Sequence, residues 1–205
     1  MAAAATPGEP FDAVVLAGGA GRRFGGADKA AITVAGTSLL DRVLDAVEDA
    51  ERIVVVGPSR PVTRHVYWTR EQPPGGGPVA GLAAGLAVVR APVVAVLAVD
   101  LPFLRPAHVR ELRNMLGSGR AGAPAGAVLT DDEGRDQVLA GVWSSAALRR
   151  AVPPTPDGVA MRRVVRELPL RRAALPGRPW CDVDSPTDLA AAQRQATGDA
   201  QGGGR

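Results

Sequence analysis

The sequence predicts an α/β fold with a mainly parallel sheet. Short apolar runs of strand length alternate along the chain with segments whose apolar residues recur at helical spacing. Several of those runs are apolar throughout instead of alternating, as strands covered by helices on both faces must be. A length of 205 residues suits one domain, expected over residues 11–195, with small or Gly-rich tails expected to be flexible at 1–10 and 196–205.

Residues 13–16 read Ala-Val-Val-Leu and stop at glycines, which predicts a buried strand. A Gly-rich loop with charges spans 17–29, followed by a minor strand at 32–34 that turns at Gly36. Ser38, with Asp41 three residues on, opens a helix as a weak capping box. Leu39, Leu40, Val43, Leu44 and Val47 line one face of that helix, which is expected to end near Ala50. Residues 53–56 are a second buried strand, halted by Gly57-Pro58, and 66–69 a third. Pro78 closes a Gly/Pro loop and suits a first helical turn, so a helix is expected to about Val89. Residues 93–99 form the most apolar strand and stop at Asp100. A helix follows over 106–116, then strands at 127–130 and 138–143 flanking the polar loop 131–135. Helices at 144–151 and 159–167, a late strand at 170–174 and a final helix capped by Ser185, with Asp188 at its third position, complete the chain.

Composition narrows the function. With 46% hydrophobic and 22% charged residues the chain can bury a core, which excludes wholesale disorder. Its 25 glycines and 18 prolines show no triplet period, so collagen is excluded and a loop-rich, enzyme-like domain is allowed. Aromatics at 3% argue against base-stacking platforms, and the net charge of +3 comes from scattered arginines, so no nucleic-acid partner is expected. Cys181 is the single cysteine, which forbids an intrachain disulfide or a cysteine zinc cluster. No signal-peptide pattern and no apolar run of about 18 residues occurs, so no membrane contact and a cytoplasmic location are expected.

The first loop reads Leu16-Ala17-Gly18-Gly19-Ala20-Gly21-Arg22-Arg23-Phe24-Gly25-Gly26-Ala27-Asp28-Lys29. Its spacing fits neither a P-loop nor a dinucleotide fingerprint: Ala27-Asp28 precede the lysine, and Gly19, Gly21 and Gly25 leave one residue too many. Glycines nevertheless let backbone N–H groups turn toward phosphate oxygens, and Arg22 and Lys29 add charge as a fork and as a point. The plainer alternative is a long turn with solvated charges. Five glycines, these cations and the buried strand upstream favour the anion cradle, as does Lys29 being the only lysine. Asp100, at the end of the most apolar strand, is either a carboxylate for Mg²⁺ or a turn and capping residue. Asp184 is either a second metal carboxylate or part of the Ser185-Pro186 helix start.

The stretch from Leu16 through Arg22, Gly25-Gly26 and Asp28-Lys29 resembles the signature of the nucleotidyltransferase superfamily, in its MobA-like branch of molybdenum cofactor guanylyltransferases. The resemblance continues at Gly77-Pro78-Val79-Ala80-Gly81-Leu82, at Val99-Asp100-Leu101-Pro102-Phe103-Leu104, and at 182–189. It implies a three-layer Rossmann-like nucleotidyltransferase fold, with a mostly parallel twisted sheet and helices on both faces. It implies Mg²⁺-dependent transfer of GMP from GTP to molybdopterin with release of pyrophosphate. Leu16, Ala17, Gly18, Gly19, Gly21, Arg22, Lys29, Gly77, Pro78, Gly81 and Asp100 would bind the nucleotide, Arg22, Lys29 and Asp100 would be catalytic, and Asp100 with Asp184 would hold the metal. For Gly77, Pro78 and Gly81 a plain loop-to-helix junction is the alternative. Partner proteins that handle the molybdenum cofactor are a further implication.

Two departures fall where the family reads the base. Gly57-Pro58-Ser59 stands in place of a common asparagine, and Glu71-Gln72 in place of a common aspartate. A cytidylyltransferase, a guanylyltransferase for another small phosphorylated acceptor, and a non-catalytic nucleotide-binding module therefore stay open. The acceptor is expected at residues 137–140 and at Arg162 and Arg163, which alternatively form a solvated helix face. His65 and His108 are expected at the surface.

Overall fold

The computed structural model describes residues 9–18, 24–26, 28–117 and 123–202, with side chains through residue 198 of the last helix. Its core is a seven-stranded sheet made of β1 (Phe11–Leu16), β4 (Ile53–Val56), β5 (Tyr67–Thr69), β6 (Val93–Ala98), β7 (Gly126–Thr130), β8 (Asp136–Ser144) and β9 (Leu170–Ala173), in the order β5-β4-β1-β6-β8-β7-β9. A separate two-stranded ribbon joins β2 (Thr33–Val34) to β3 (Thr37–Ser38). Every neighbour in the large sheet is parallel except β8, which runs antiparallel to both β6 and β7. The five residues between β7 and β8 allow a reversal but are too few for the crossover that a parallel pair needs.

Helices cover both faces. Alternate residues of β1 separate its two packing partners: Phe11, Ala13 and Val15 meet Leu40, Val43 and Leu44 of α1 (Leu39–Ala46) and Val109, Leu112 and Leu116 of α3 (Pro106–Leu116). Val14 and Leu16 belong to the opposite layer, with Val79, Leu82 and Leu86 of α2 (Pro78–Leu86), Leu148 of α4 (Ser145–Ala151) and Met161, Val164 and Val165 of α5 (Met161–Val165). A third cluster joins Val34, Leu39 and Phe103 to Val183 and to Ala192 of α6 (Pro186–Gly202).

Several boundaries moved for local reasons. α1 begins where the capping box placed it, with the Ser38 hydroxyl accepting from the Asp41 N–H at 3.0 Å, but it ends at Ala46 because Val47 leaves helical geometry to turn the chain toward β4. The helix after Pro78 ends at Leu86 instead of Val89, and Arg149 closes it by donating to the carbonyls of Leu86 and Val89 at 3.1 and 2.7 Å. α5 covers 161–165 instead of 159–167, and the last helix continues to Gly202, past residue 195. No described helix is long and apolar enough to cross a membrane.

Chain order puts the sheet's switch point at β1. From β1 the chain moves outward to β4 and β5, then returns through α2 to β6 on the other side. The crevice at the carboxyl ends of β1 and β6 is where open α/β sheets bind ligands. Asp12 secures the far end of this pair: fully buried, its Oδ2 accepts from the N–H groups of Arg90 and Ala91 at 2.6 and 3.0 Å.

Trp143 on β8 is fully buried between two glycines. A Cβ on Gly126 would lie 2.3 Å from Trp143 Cε3, and one on Gly141 would lie 2.8 Å from Val128 Cγ1. Gly126→Ala is therefore expected to destabilise the fold by about 1–3 kcal/mol through overpacking. An unchanged urea midpoint would show that the ring has room to move.

Candidate active site

Three separate stretches of chain converge at the switch point. Leu16, Ala17 and Gly18 extend β1: the Ala17 N–H donates to the Val56 carbonyl at 2.9 Å, and the Val99 N–H donates to the Leu16 carbonyl at 3.2 Å. The loop then returns in a short 3₁₀ turn, Lys29–Ala31, whose N-cap Asp28 accepts from the Ala30 N–H at 3.2 Å. Arg60 pairs with the same Asp28 carboxylate at 2.5 Å, and Ala30 is buried beneath the turn. Asp28 thus fixes the backbone from which Lys29 projects.

Lys29 Nζ donates to Asp100 Oδ2 at 2.5 Å and also to Asp184 Oδ1. Asp100 stands two residues after the end of β6, and the Val183 N–H donates to its carbonyl at 3.1 Å, tying the segment before α6 to the same strand end. The α6 start is built from Ser185 and Asp188: the Ser185 hydroxyl donates to Asp188 Oδ2 at 2.7 Å, and the Asp188 N–H donates back to Ser185 Oγ at 3.2 Å. Asp184 contributes its backbone N–H to Asp188 at 3.2 Å and turns its side chain to Lys29. Its backbone thus takes part in the helix start, while its carboxylate is left to face Lys29.

The charges explain the titration shifts. Burial alone would lower the Lys29 ammonium, but the Asp100 charge and hydrogen bond, with those of Asp184, outweigh it and hold Lys29 above the ordinary lysine range. Asp182 moves up as well, first through burial and then through the Asp100 and Asp184 charges. Asp182 is a site residue to which sequence reasoning assigned no role. Oxygens of Asp100, Asp182 and Asp184 lie within 4.8 Å of one another. Its position two residues before Asp184 was the available signal, but proximity to Asp100 comes only from the chain crossing back.

The donor set suits a hard divalent cation: carboxylate oxygens converge there, with neither sulfur nor imidazole in the cluster. Asp100 and Asp184 border a cleft of about 670 Å³, within the range of small-molecule sites. Of the residues singled out in the sequence, Leu16, Ala17, Gly18, Lys29, Gly77, Pro78, Gly81, Asp100 and Asp184 all line it. Gly19, Gly21 and Arg22, expected in the same loop, lie outside the described residues. Phe24, Val56, Glu71 and Leu139 are further lining residues. Neither Arg162 nor Arg163 borders the cleft; both are exposed on α5. His65 is exposed, and half-buried His108 caps α3, accepting from the Arg105 N–H at 3.1 Å.

Gly57 accounts for one departure noted above. Its φ is 152°, and a Cβ there would lie 2.9 Å from the Ala17 carbonyl group and 3.2 Å from the Gly18 nitrogen. The start of the Gly-rich loop occupies the space a larger residue would need. Gly76 is similarly confined, with a Cβ position 2.7 Å from Ala80 Cβ, and the Gly158 N–H donates to its carbonyl at 2.8 Å.

A cleft at the switch point of an open α/β sheet, with a lysine held among carboxylates at the strand ends, has the architecture of a nucleotidyltransferase. Comparison with known proteins agrees: the MobA-like NTP transferase domain model matches residues 13–173. A molybdenum cofactor guanylyltransferase of Acidiphilium cryptum is 31% identical over 196 residues, covering 91% of this chain and 95% of the relative. Among solved structures, molybdopterin-guanine dinucleotide biosynthesis protein A from Archaeoglobus fulgidus superposes with a TM-score of 0.67 at 20% identity, over 91% of this chain and 99% of that one. The 2-C-methyl-D-erythritol 4-phosphate cytidylyltransferase of Thermus thermophilus shares the fold with a TM-score of 0.69 at 21% identity, over 92% and 99% of the two chains. The chain belongs to the MobA-like NTP transferase family.

Gly57→Ala should displace the start of the loop, costing about 1–3 kcal/mol. Fluorescence titration with a labelled nucleotide is expected to show weaker binding than in the wild type; equal affinities would mean that the backbone there does not carry the site.

Proposed function

We propose that this protein transfers GMP from GTP to molybdopterin and releases pyrophosphate. The convergence of Lys29 with Asp100 and Asp184 at the switch point carries the reading. Near end-to-end alignment with a molybdenum cofactor guanylyltransferase supports the substrate pair. In the reaction an oxygen of the acceptor phosphate bonds to the α-phosphorus of GTP as the bond to the bridging oxygen of the pyrophosphate breaks. The attacking phosphate is already ionised near neutral pH, so the chain has to position and neutralise charge more than move protons.

Each part of the cleft has a task in this scheme. The sequence motif assigns the phosphates to the backbone N–H of Gly18 and to Arg22. Lys29 supplies a positive charge where the pyrophosphate develops its negative charge. Asp100 and Asp184 would hold Mg²⁺, with Asp182 beside them, and an ion held there would supply charge neutralisation and Lewis-acid chemistry toward the phosphates. At the other end Gly77, Pro78 and Gly81 line the part of the cleft assigned to the base.

Glu71 favours guanine over cytosine. It lines the cleft and accepts from the Gly75 N–H at 3.0 Å, which holds a carboxylate at the base end. Guanine presents two adjacent N–H donors to such an acceptor, whereas cytosine presents a ring acceptor that a carboxylate repels. A user of GTP is expected in the cytoplasm.

The deciding experiment is incubation with molybdopterin and Mg²⁺ plus either GTP or CTP. Pyrophosphate and a guanine dinucleotide are expected with GTP; product from CTP alone, or from neither, would defeat the proposal. Lys29→Ala is expected to lower kcat by about 10²–10³, the scale of losing one charge-stabilising donor, with an unchanged far-ultraviolet circular dichroism spectrum. Near-normal turnover in that variant would remove Lys29 from the mechanism.

A further inference from the structure

The two ends of the cleft are built differently. Val56 on β4 and the glycines at 75, 77 and 81 lie at the base end, while Leu139, from β8, lies on the far side of Asp100. Between β4 and β8 the sheet crosses three strand spacings, about 14 Å. Leu139 therefore lines the cleft well across the sheet from β4, on the side of Asp100 left for the acceptor once the base is assigned to β4.

An irregularity in the sheet delivers Leu139 to this place. Val128 of β7 stands opposite Gly141 of β8, but the next residue, Leu129, stands opposite Gln137. Val138, Leu139 and Ala140 have no partner on β7, although Ala140 still pairs with Leu97 of β6. Such bulges re-aim side chains next to active sites at the cost of ladder pairing. A buried carboxylate secures this one. Asp131, only 8% exposed, accepts from the N–H groups of Glu133 and Arg135 at 3.0 and 2.8 Å and from Gln137 Nε2 at 3.1 Å. One side chain thereby closes the β7–β8 turn and grips the residue at the base of the bulge. Gln137, expected to contact the acceptor, instead spends its amide on Asp131.

We infer that Leu139 is a specificity-determining residue for the acceptor, an apolar wall for the planar ring of a phosphorylated heterocycle. Asp131 is its positioning residue, acting through Gln137. The inference rests on the molybdopterin guanylyltransferase reading above. An apolar side chain contributes contact area without hydrogen bonds, so it favours a flat ring over a compact polyol phosphate.

Steady-state kinetics with GTP and molybdopterin varied separately tests this. Leu139→Ala is expected to raise the acceptor KM about tenfold while the GTP KM stays within about twofold. Asp131→Ala should produce the same split. Asp131→Asn should restore it, since its amide oxygen can accept from the turn and its NH₂ can donate to a flipped Gln137. Should Asp131→Ala fail to fold, Gln137→Ala removes the grip and leaves the turn bonds in place, with the same split expected. KM values that rise together, or an acceptor KM equal to wild type in Leu139→Ala, overturn the inference alone. A wild-type enzyme that makes no dinucleotide overturns the underlying reading, and the inference with it.

Discussion

The ammonium of Lys29 among the carboxylates is the interaction on which the site depends. Two like charges about 4 Å apart at an effective dielectric near 20 repel by about 4 kcal/mol, and a cation beside carboxylates as close as Asp100, Asp182 and Asp184 relieves that repulsion. Lys29 supplies one from a turn 71 residues before Asp100 and 155 before Asp184. The lysine and Asp100 are mostly buried, at 19% and 17% side-chain exposure, while Asp184 stays at 43%, open toward the solvent side of the cleft. The same contacts that relieve repulsion also draw the first loop, the end of β6 and the approach to α6 into one wall.

Close backbone approach is the second constraint. Gly57 lies against Ala17 and Gly18, Gly76 against Ala80, and Gly85 packs with its Cβ position 2.6 Å from Val14 Cγ1. Gly57 and Gly85 bring β4's end and α2 nearer to the central strand and its extension than a side chain would permit, while Gly76 lets the loop before α2 pack on that helix. Gly18, Gly75, Gly77 and Gly81 line the cleft on this side, where a glycine backbone leaves room for close approach by a ligand.

Its opposite end follows another plan. There the parallel sheet gives way to the antiparallel β8, and the hairpin with β7 lets a register irregularity develop where a regular ladder would have left Leu139 paired in the sheet. Buried Asp131 makes that irregularity definite by satisfying two turn amides and one side-chain amide. The two ends of the cleft thus have walls of different origin on either side of Asp100.

The sequence by itself determined the local features. Ile53–Val56 and Pro106–Leu116 lie where apolar runs and Pro106 placed them, because burial on both faces and a pre-set first helical turn leave a local signature. Lys29 and Asp100 could be singled out because each ends a segment whose neighbours explain nothing else about it. Only the tertiary structure decided the direction of β8, the proximity of Asp182 to Asp100, the exclusion of Arg162 and Arg163 from the cleft and the aim of Leu139. These depend on which strands become neighbours and on three residues left unpaired in a ladder. Hydrophobic periodicity reports whether a residue is buried, but it carries no information about its partner.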